Sequence, residues 1–407
     1  MSSKQPIVLG LDVGTQSLRA ALVDLSGRTV AFGVEPIETT YPRPSWAEQH
    51  PRDWWNAAKS ATRAALAKAG VSPDQVVAIG LDCTACTVVA CDLDGAPLRP
   101  ALLWMDQRAF READEISATG DPVLRYVSGR VSPEWMLPKA LWLKRNDPET
   151  FARADRIVEC TDWMMHRLTG AWTLSLNHLA VKWNYARPDG GWPLAMIAAV
   201  GLHDLPAKWP EAIVPLGKGD AVLSKSAAED LGLKAGTPVA QGGIDAYLGM
   251  LGLGATGDGD VALIVGSSTC HLAQTREGVF GSGAGGCYPD ATVEGLYTIE
   301  AGQTATGSIL DWYRRHFAGH EQAEADARGV NVYTVLDEKA AAVPPAPRAS
   351  SSARTGRGTD PPTRTRRPEA RSSASPWPTA PATSSAPFMK RPRWGPGTSS
   401  TTPRDTA

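Results

Sequence analysis

Apolar and polar positions alternate from the start of the chain. Ile7-Val-Leu-Gly-Leu-Asp-Val-Gly14 and Leu18-Arg-Ala-Ala-Leu-Val-Asp24 are two β-rich runs joined by a short polar turn, Thr15-Gln-Ser17, which predicts a hairpin presenting that turn. Thr29 to Glu38 reads as a third strand, and Pro51 to Ala69, with an Ala- and Trp-containing face, reads as a helix. Val76 to Asp82 and Thr87 to Asp92 supply further strands, with Asp94-Gly95 marking a turn. A second hairpin is expected at Ala262 to Gln274, where Val265-Gly266-Ser267 lines up with Val13-Gly14-Thr15. Strands interleaved with helices give an α/β class. Two such hairpins, roughly 250 residues apart, predict a duplicated α/β unit in which each copy opens with a phosphate-facing loop and the nucleotide lies between them.

Composition changes this picture at one place. From Pro344 to Ala407 there are 13 prolines and ten arginines, with no Ile, Leu, Val or Tyr. Such a stretch cannot bury enough apolar surface to offset chain entropy and is expected to stay disordered. Its charge is +8, which leaves about −10 on the preceding residues, because the whole chain carries −2. That overall balance gives no reason to expect nucleic acid or a membrane as partner, so a small molecule is the expected one. With no run of eighteen apolar residues and no apolar signal core, a soluble protein is expected. The six cysteines (83, 86, 91, 160, 270 and 287) are too sparse for a disulfide framework and point to a reduced, cytoplasmic chain. Cys83-x-x-Cys86 resembles half of a zinc or redox site, but no second pair completes it.

Several polar groups interrupt the apolar pattern. The loop Asp12-Val-Gly14-Thr15-Gln-Ser17-Leu-Arg19 has what a phosphate needs: a glycine for close approach, hydroxyl donors, an arginine, and a carboxylate suited to hydrated Mg2+. A solvent-facing turn is the plainer alternative. In Gln241-Gly-Gly-Ile-Asp245-Ala-Tyr, Asp245 can take a proton from a hydroxyl nucleophile, cap the following helix, or do both. Trp104, Asp106 and Arg108 offer a flat face and hydrogen bonds to a sugar, or else a surface ion pair ahead of a helix at Phe110 to Ile116. Lys182 and Glu300 sit among apolar neighbours, where a snorkelling surface residue is also possible.

Taken together these residues resemble the FGGY carbohydrate kinase family, from about Ile7 to Phe317. The first loop is similar to the family's N-terminal phosphate motif, Gly266-Ser-Ser-Thr269 to its second, and Gly242-Gly-Ile-Asp-Ala246 to the segment bearing the catalytic aspartate. Leu81-Asp-Cys-Thr-Ala-Cys86, Trp104-Met-Asp106, Pro138-Lys-Ala-Leu-Trp-Leu143, Val181-Lys-Trp183 and Glu300-Ala-Gly-Gln303 resemble the ribulokinase branch most. The resemblance implies ATP-dependent phosphorylation of a sugar hydroxyl, with a pentulose such as ribulose as substrate and xylulose or another polyol as the alternative. It implies Asp245 as general base and Asp12 near Mg2+. Gly14, Thr15, Ser17, Arg19, Gly266, Ser267, Ser268 and Thr269 would lie at the phosphates, and Ala85, Trp104, Asp106, Lys182 and Glu300 along the sugar. The implied fold is two actin-like, ribonuclease-H-like domains: a sugar-binding N-terminal domain over residues 1–245 and the start of a C-terminal domain over 246–335. A homodimer is compatible with it. Against the family pattern, the second domain is expected to be truncated, with 344–407 the product of a shifted reading frame. The chain is then impaired by loss of its adenosine-binding part, or survives as an inactive sugar-binding remnant.

Overall fold

The computed structural model describes residues 5–266, 269–281, 285–303 and 305–343. The proline- and arginine-rich tail lies outside them, as do Ser267 and Ser268. The chain divides into two compact units. One runs to Ile264 and adds Cys270–Gly302, and the other takes Val265–Thr269 and the chain from Gln303.

In chain order the first unit begins with strands β1 (Ile7–Val13), β2 (Ser17–Asp24), β3 (Thr29–Pro36) and β4 (Glu48–Gln49), then helix α1 (Pro51–Ala69). Strands β5 (Val76–Cys83), β6 (Val88–Cys91) and β7 (Ala101–Leu102) precede helices α2 (Phe110–Ala118), α3 (Met136–Asn146) and α4 (Pro148–Arg153). Next come β8 (Arg156–Glu159), α5 (Cys160–Thr169), β9 (Leu174–Ser175), α6 (Leu176–Lys182), α7 (Leu194–Ala199), β10 (Ile213–Val214) and α8 (Lys225–Leu231). Then follow β11 (Gly243–Ile244), α9 (Asp245–Gly252), β12 (Val261–Val265), β13 (Thr269–Thr275), β14 (Gly286–Pro289) and β15 (Tyr297–Gln303).

The central sheet has the order β11-β5-β1-β2-β3. Period-2 alternation sends Ile7, Leu9, Leu11 and Val13 to its buried face. Helix α1 covers β2 and β3 there. It starts where the His50 side chain accepts from the Arg52 N–H and Pro51 takes the first helical position, and it ends at Gly70 in the left-handed region. Gly33 is required by this packing, because a Cβ on it would collide with the backbone of Ala61. The hairpin of β1 and β2 is antiparallel, whereas β5 pairs with both β1 and β11 in parallel. Three neighbouring strands therefore end at the same edge of the sheet.

A second sheet, β4-β7-β6-β8, lies in the same unit, and β12-β13-β15-β14 form a third. The second unit carries the helices α10 (Gly307–Phe317), α11 (Gly319–Arg328) and α12 (Val332–Ala341), whose small core includes Tyr313, Ala325, Val335 and Leu336.

Candidate active site

The acidic centre is built by register. Gly10-Leu11-Asp12 of β1 pairs residue for residue with Gly80-Leu81-Asp82 of β5, and Gly243 of β11 is in register with Asp82. Asp12, Asp82 and Asp245 thus stand side by side at the carboxyl ends of three parallel strands, the edge at which open α/β sheets bind ligands. Asp12 accepts from Arg19 Nη1 at 2.6 Å. Burial, then the charges of Asp12 and Asp245, push the Asp82 carboxyl up to about 8, which favours its protonated form, and it shares a side-chain hydrogen bond with Asp12. Asp245 is exposed at its rim but crowded by protein, and that desolvation, with the nearby Asp12, pushes it up to about 6.

Ile244 occupies the cap position of α9, and Asp245 is its first helical residue, with Oδ1 accepting from its neighbour's Ala246 N–H at 2.7 Å. The Gly242-Gly243-Ile244 segment that presents it is held from behind by α6 and β9. Buried Asn177 accepts from the Ile244 N–H at 2.8 Å and donates to the Ala291 carbonyl at 2.7 Å, and Ser175 donates to the Gly242 carbonyl at 2.7 Å. Gly243 has no room for a side chain against Leu216 and Asn177.

Lys182 and Glu300 are not snorkelling surface residues. Lys182 Nζ lies 3.0 and 2.9 Å from the two Glu300 carboxylate oxygens, and Tyr247 donates to Glu300 Oε2 at 2.7 Å. Burial alone would lower the Lys182 ammonium, but the adjacent Glu300 charge outweighs it and holds the lysine well above its ordinary value. The Lys182 ammonium also lies over the rings of Trp135 and Tyr288.

The Trp104-to-Arg108 segment turns out differently from either expectation. Asp106 and Arg108 are fully buried, joined at 2.7 Å, and Asp106 also accepts from the Ala47 N–H at 2.7 Å. Arg108 further pairs with Glu48 at 2.8 Å and lies 3.8 Å over the Trp46 ring. With both its carboxylate oxygens engaged, Asp106 braces the loop instead of pointing a free carboxylate at a ligand. Trp104 remains partly exposed, as does Ala85. Both are positioned by the buried ammonium of Lys139, which donates to the Cys86 and Leu103 carbonyls at 2.6 Å each. Cys86 adopts a left-handed backbone (φ 56°), uncommon for a residue with a side chain.

In the first loop Gly14, Thr15 and Ser17 are part-buried and Arg19 is exposed. In the second unit, Gly266 accepts from the Gly307 N–H at 3.2 Å, and the Thr269 hydroxyl is buried without a partner among the described residues. All six cysteines are free thiols. Among the described residues no group of three or more His, Cys, Asp or Glu is arranged to hold a metal. The Asp12 carboxylate, shared with Arg19, nevertheless fits Mg2+, which keeps its waters and binds chiefly through phosphates. No helix among the described residues is long and apolar enough to cross a membrane.

Asp82, Tyr247 and Asn177 are the site residues that sequence reasoning missed. For Asp82 the signal was available: Gly-Leu-Asp occurs at both 10–12 and 80–82.

An α/β protein with an acidic site at the ends of parallel strands and a Gly- and Thr-containing hairpin loop beside it is the class defined so far. The chain belongs to the FGGY family of carbohydrate kinases: the family's N-terminal domain matches residues 7–252, and its C-terminal domain matches 261–362, past the Phe317 reached by motif reading. A ribulokinase of Geobacillus thermodenitrificans is 33% identical over 368 residues, covering 83% of this chain and 65% of the relative. A human FGGY carbohydrate kinase domain-containing protein is 34% identical over 362 residues, covering 81% and 64%. The chain thus spans just under two thirds of the length of these curated relatives. Among solved structures, a xylulose kinase from Rhodospirillum rubrum superposes with a TM-score of 0.72 at 28% identity, covering 83% of this chain and 67% of that one. A Plasmodium falciparum glycerol kinase crystallised with ADP shares the fold, with a TM-score of 0.68 at 18% identity and coverage of 82% and 67%. The fold is the mixed α/β, actin-like fold of sugar kinases.

Proposed function

We propose that this chain is built to phosphorylate a sugar hydroxyl with ATP, and that its substrate is a pentulose of the ribulose class. The observation that carries the reading is the juxtaposition of three carboxylates at the ends of β1, β5 and β11, where burial pushes those of Asp82 and Asp245 upward. Asp245, desolvated to about 6, is ionised at neutral pH yet basic enough to accept a proton from a sugar hydroxyl as that oxygen attacks. ATP supplies the phosphoryl group. Gly14, Thr15 and Ser17 bind its phosphates, and Asp12 holds hydrated Mg2+. Arg19, bonded to Asp12, offsets part of the acidic charge that would otherwise repel phosphate. Lys182, Glu300, Ala85 and Trp104 line the sugar. The fixed Lys182–Glu300 pair gives the sugar side a charge-balanced polar surface, which suits a polyhydroxylated substrate and discriminates against analogues lacking a hydroxyl.

The pentulose assignment is supported by the ribulokinase relatives, among them a D-ribulokinase of Saccharomyces cerevisiae, 30% identical over 349 residues. A second reading, sugar binding without turnover, rests on the Lys182–Glu300 pair alone, which needs no nucleotide to form. ADP release with Mg2+ and a panel of D- and L-ribulose, D- and L-xylulose, ribitol and glycerol tests both. Turnover with a pentulose, lost in Asp245→Asn, supports the kinase. Calorimetric ribulose binding without ADP release supports the second reading, and neither binding nor turnover defeats both.

A further inference from the structure

Trp104 is read above as a sugar-facing aromatic, yet its polar atom is committed elsewhere. Its indole N–H donates to the Thr15 hydroxyl oxygen at 2.9 Å, across 89 residues of sequence. The rest of that loop is held just as closely. The Thr15 carbonyl accepts from Gln49 Nε2 at 2.7 Å, and the same nitrogen donates to Thr39 at 2.8 Å. Gln49 is 3% exposed, and its amide oxygen accepts from the Trp54 indole at 2.8 Å. One residue on, the Gln16 carbonyl accepts from the Ile37 N–H at 2.9 Å. The backbone of the loop is therefore fixed, and what remains adjustable at Thr15 is the rotation of its hydroxyl hydrogen.

Indole is a donor only, whereas a threonine hydroxyl has one hydrogen and two lone pairs. With the Trp104 N–H on a lone pair, the Thr15 hydrogen must point away from Trp104, and among the described residues no acceptor takes it. We infer that Trp104 is a positioning residue which presets the Thr15 hydroxyl as a hydrogen-bond donor to a phosphate oxygen, joining the sugar side of the site to the phosphate loop. The inference rests on the phosphate-loop reading proposed above. A hydroxyl held as donor loses no rotational freedom when the anion arrives, and a charged acceptor makes that bond one of the stronger kind.

Inorganic tripolyphosphate with Mg2+ is the probe, because it needs no adenine contact, and calorimetric titration of the full chain is the readout. A hydrogen bond to a charged group corresponds to a loss of about tenfold in affinity for Thr15→Val, with Thr15→Ser close to wild type. Trp104→Phe keeps the ring, removes the donor, and should weaken binding about threefold to fivefold. The Trp104→Phe/Thr15→Val double variant should bind no more weakly than Thr15→Val alone, since without the hydroxyl the indole has nothing to orient. A merely structural role for Trp104 would instead add its loss to that of Thr15→Val, and additive losses overturn the inference. So does wild-type affinity in Trp104→Phe or in Thr15→Val, either of which leaves the loop a phosphate site. Absence of tripolyphosphate binding by the wild-type chain removes the phosphate-loop reading and the inference with it.

Discussion

Replacing Asp245 by Asn should make the protein more stable at neutral pH while abolishing phosphoryl transfer. The carboxyl is raised from 3.8 to about 6 in the folded chain, first by desolvation and then by the Asp12 charge. Between about pH 4 and 6 the native state holds a proton that the unfolded chain has already released, so the contribution of this group to stability falls as pH rises through the window. A shift of about two units corresponds to about 2.8 kcal/mol for a fully desolvated group. Asp245 is exposed at its rim, and solvent screening reduces that to about 1 kcal/mol. Asn keeps the acceptor for the Ala246 N–H and carries no charge. The variant should therefore unfold about 2 °C above wild type at pH 7 to 8, with the gap closing by pH 4. Thermal unfolding by calorimetry at pH 4, 5, 6, 7 and 8 measures it. A gap that is independent of pH, or a variant less stable than wild type at pH 8, refutes the claim that Asp245 is a desolvated, strained base.

If the kinase turns over, its kcat should fall about tenfold per pH unit below about 6 as Asp245 takes up its proton, and a pH–rate profile without that limb excludes Asp245 as base. Asn177→Ala strands the Ile244 N–H and the Ala291 carbonyl, so urea unfolding should show a loss of about 1–3 kcal/mol, and kcat should drop more than the sugar KM because the strand end carrying Asp245 loosens. Lys182→Met leaves Glu300 part-buried without its cation and should cost about 3–5 kcal/mol in the same assay, part of which Glu300→Gln in the same chain restores. Gly33→Ala drives a methyl into the Ala61 backbone and should destabilise by about 1–3 kcal/mol, read as a lowered unfolding midpoint with the active-site residues untouched.

What the sequence determined by itself is local. Alternation over Ile7–Val13 and Ser17–Asp24 marks β1 and β2, and helical spacing with Pro51 ahead and Gly70 behind marks α1 to its observed ends. Asp245 could be singled out because a glycine pair before a helical run is a local signal, and the Asp12 to Arg19 loop because its donors lie within eight residues. What only the tertiary structure decided depends on register and on burial across distant segments. Asp82 joins the site because parallel pairing sets it beside Asp12, and no period along one strand reports which strand lies next to it. Lys182 and Glu300 meet across 118 residues, and their contact turns two isolated polar positions into one charged pair. Asp106 has the composition of a ligand-facing acid. The backbone of Ala47 and the guanidinium of Arg108 use up both its oxygens instead, because folding closes the Trp46 loop over it. Hydrophobic periodicity acts within an element and is written in the chain, whereas the charge state and freedom of a polar group are set by neighbours that arrive only when the elements pack.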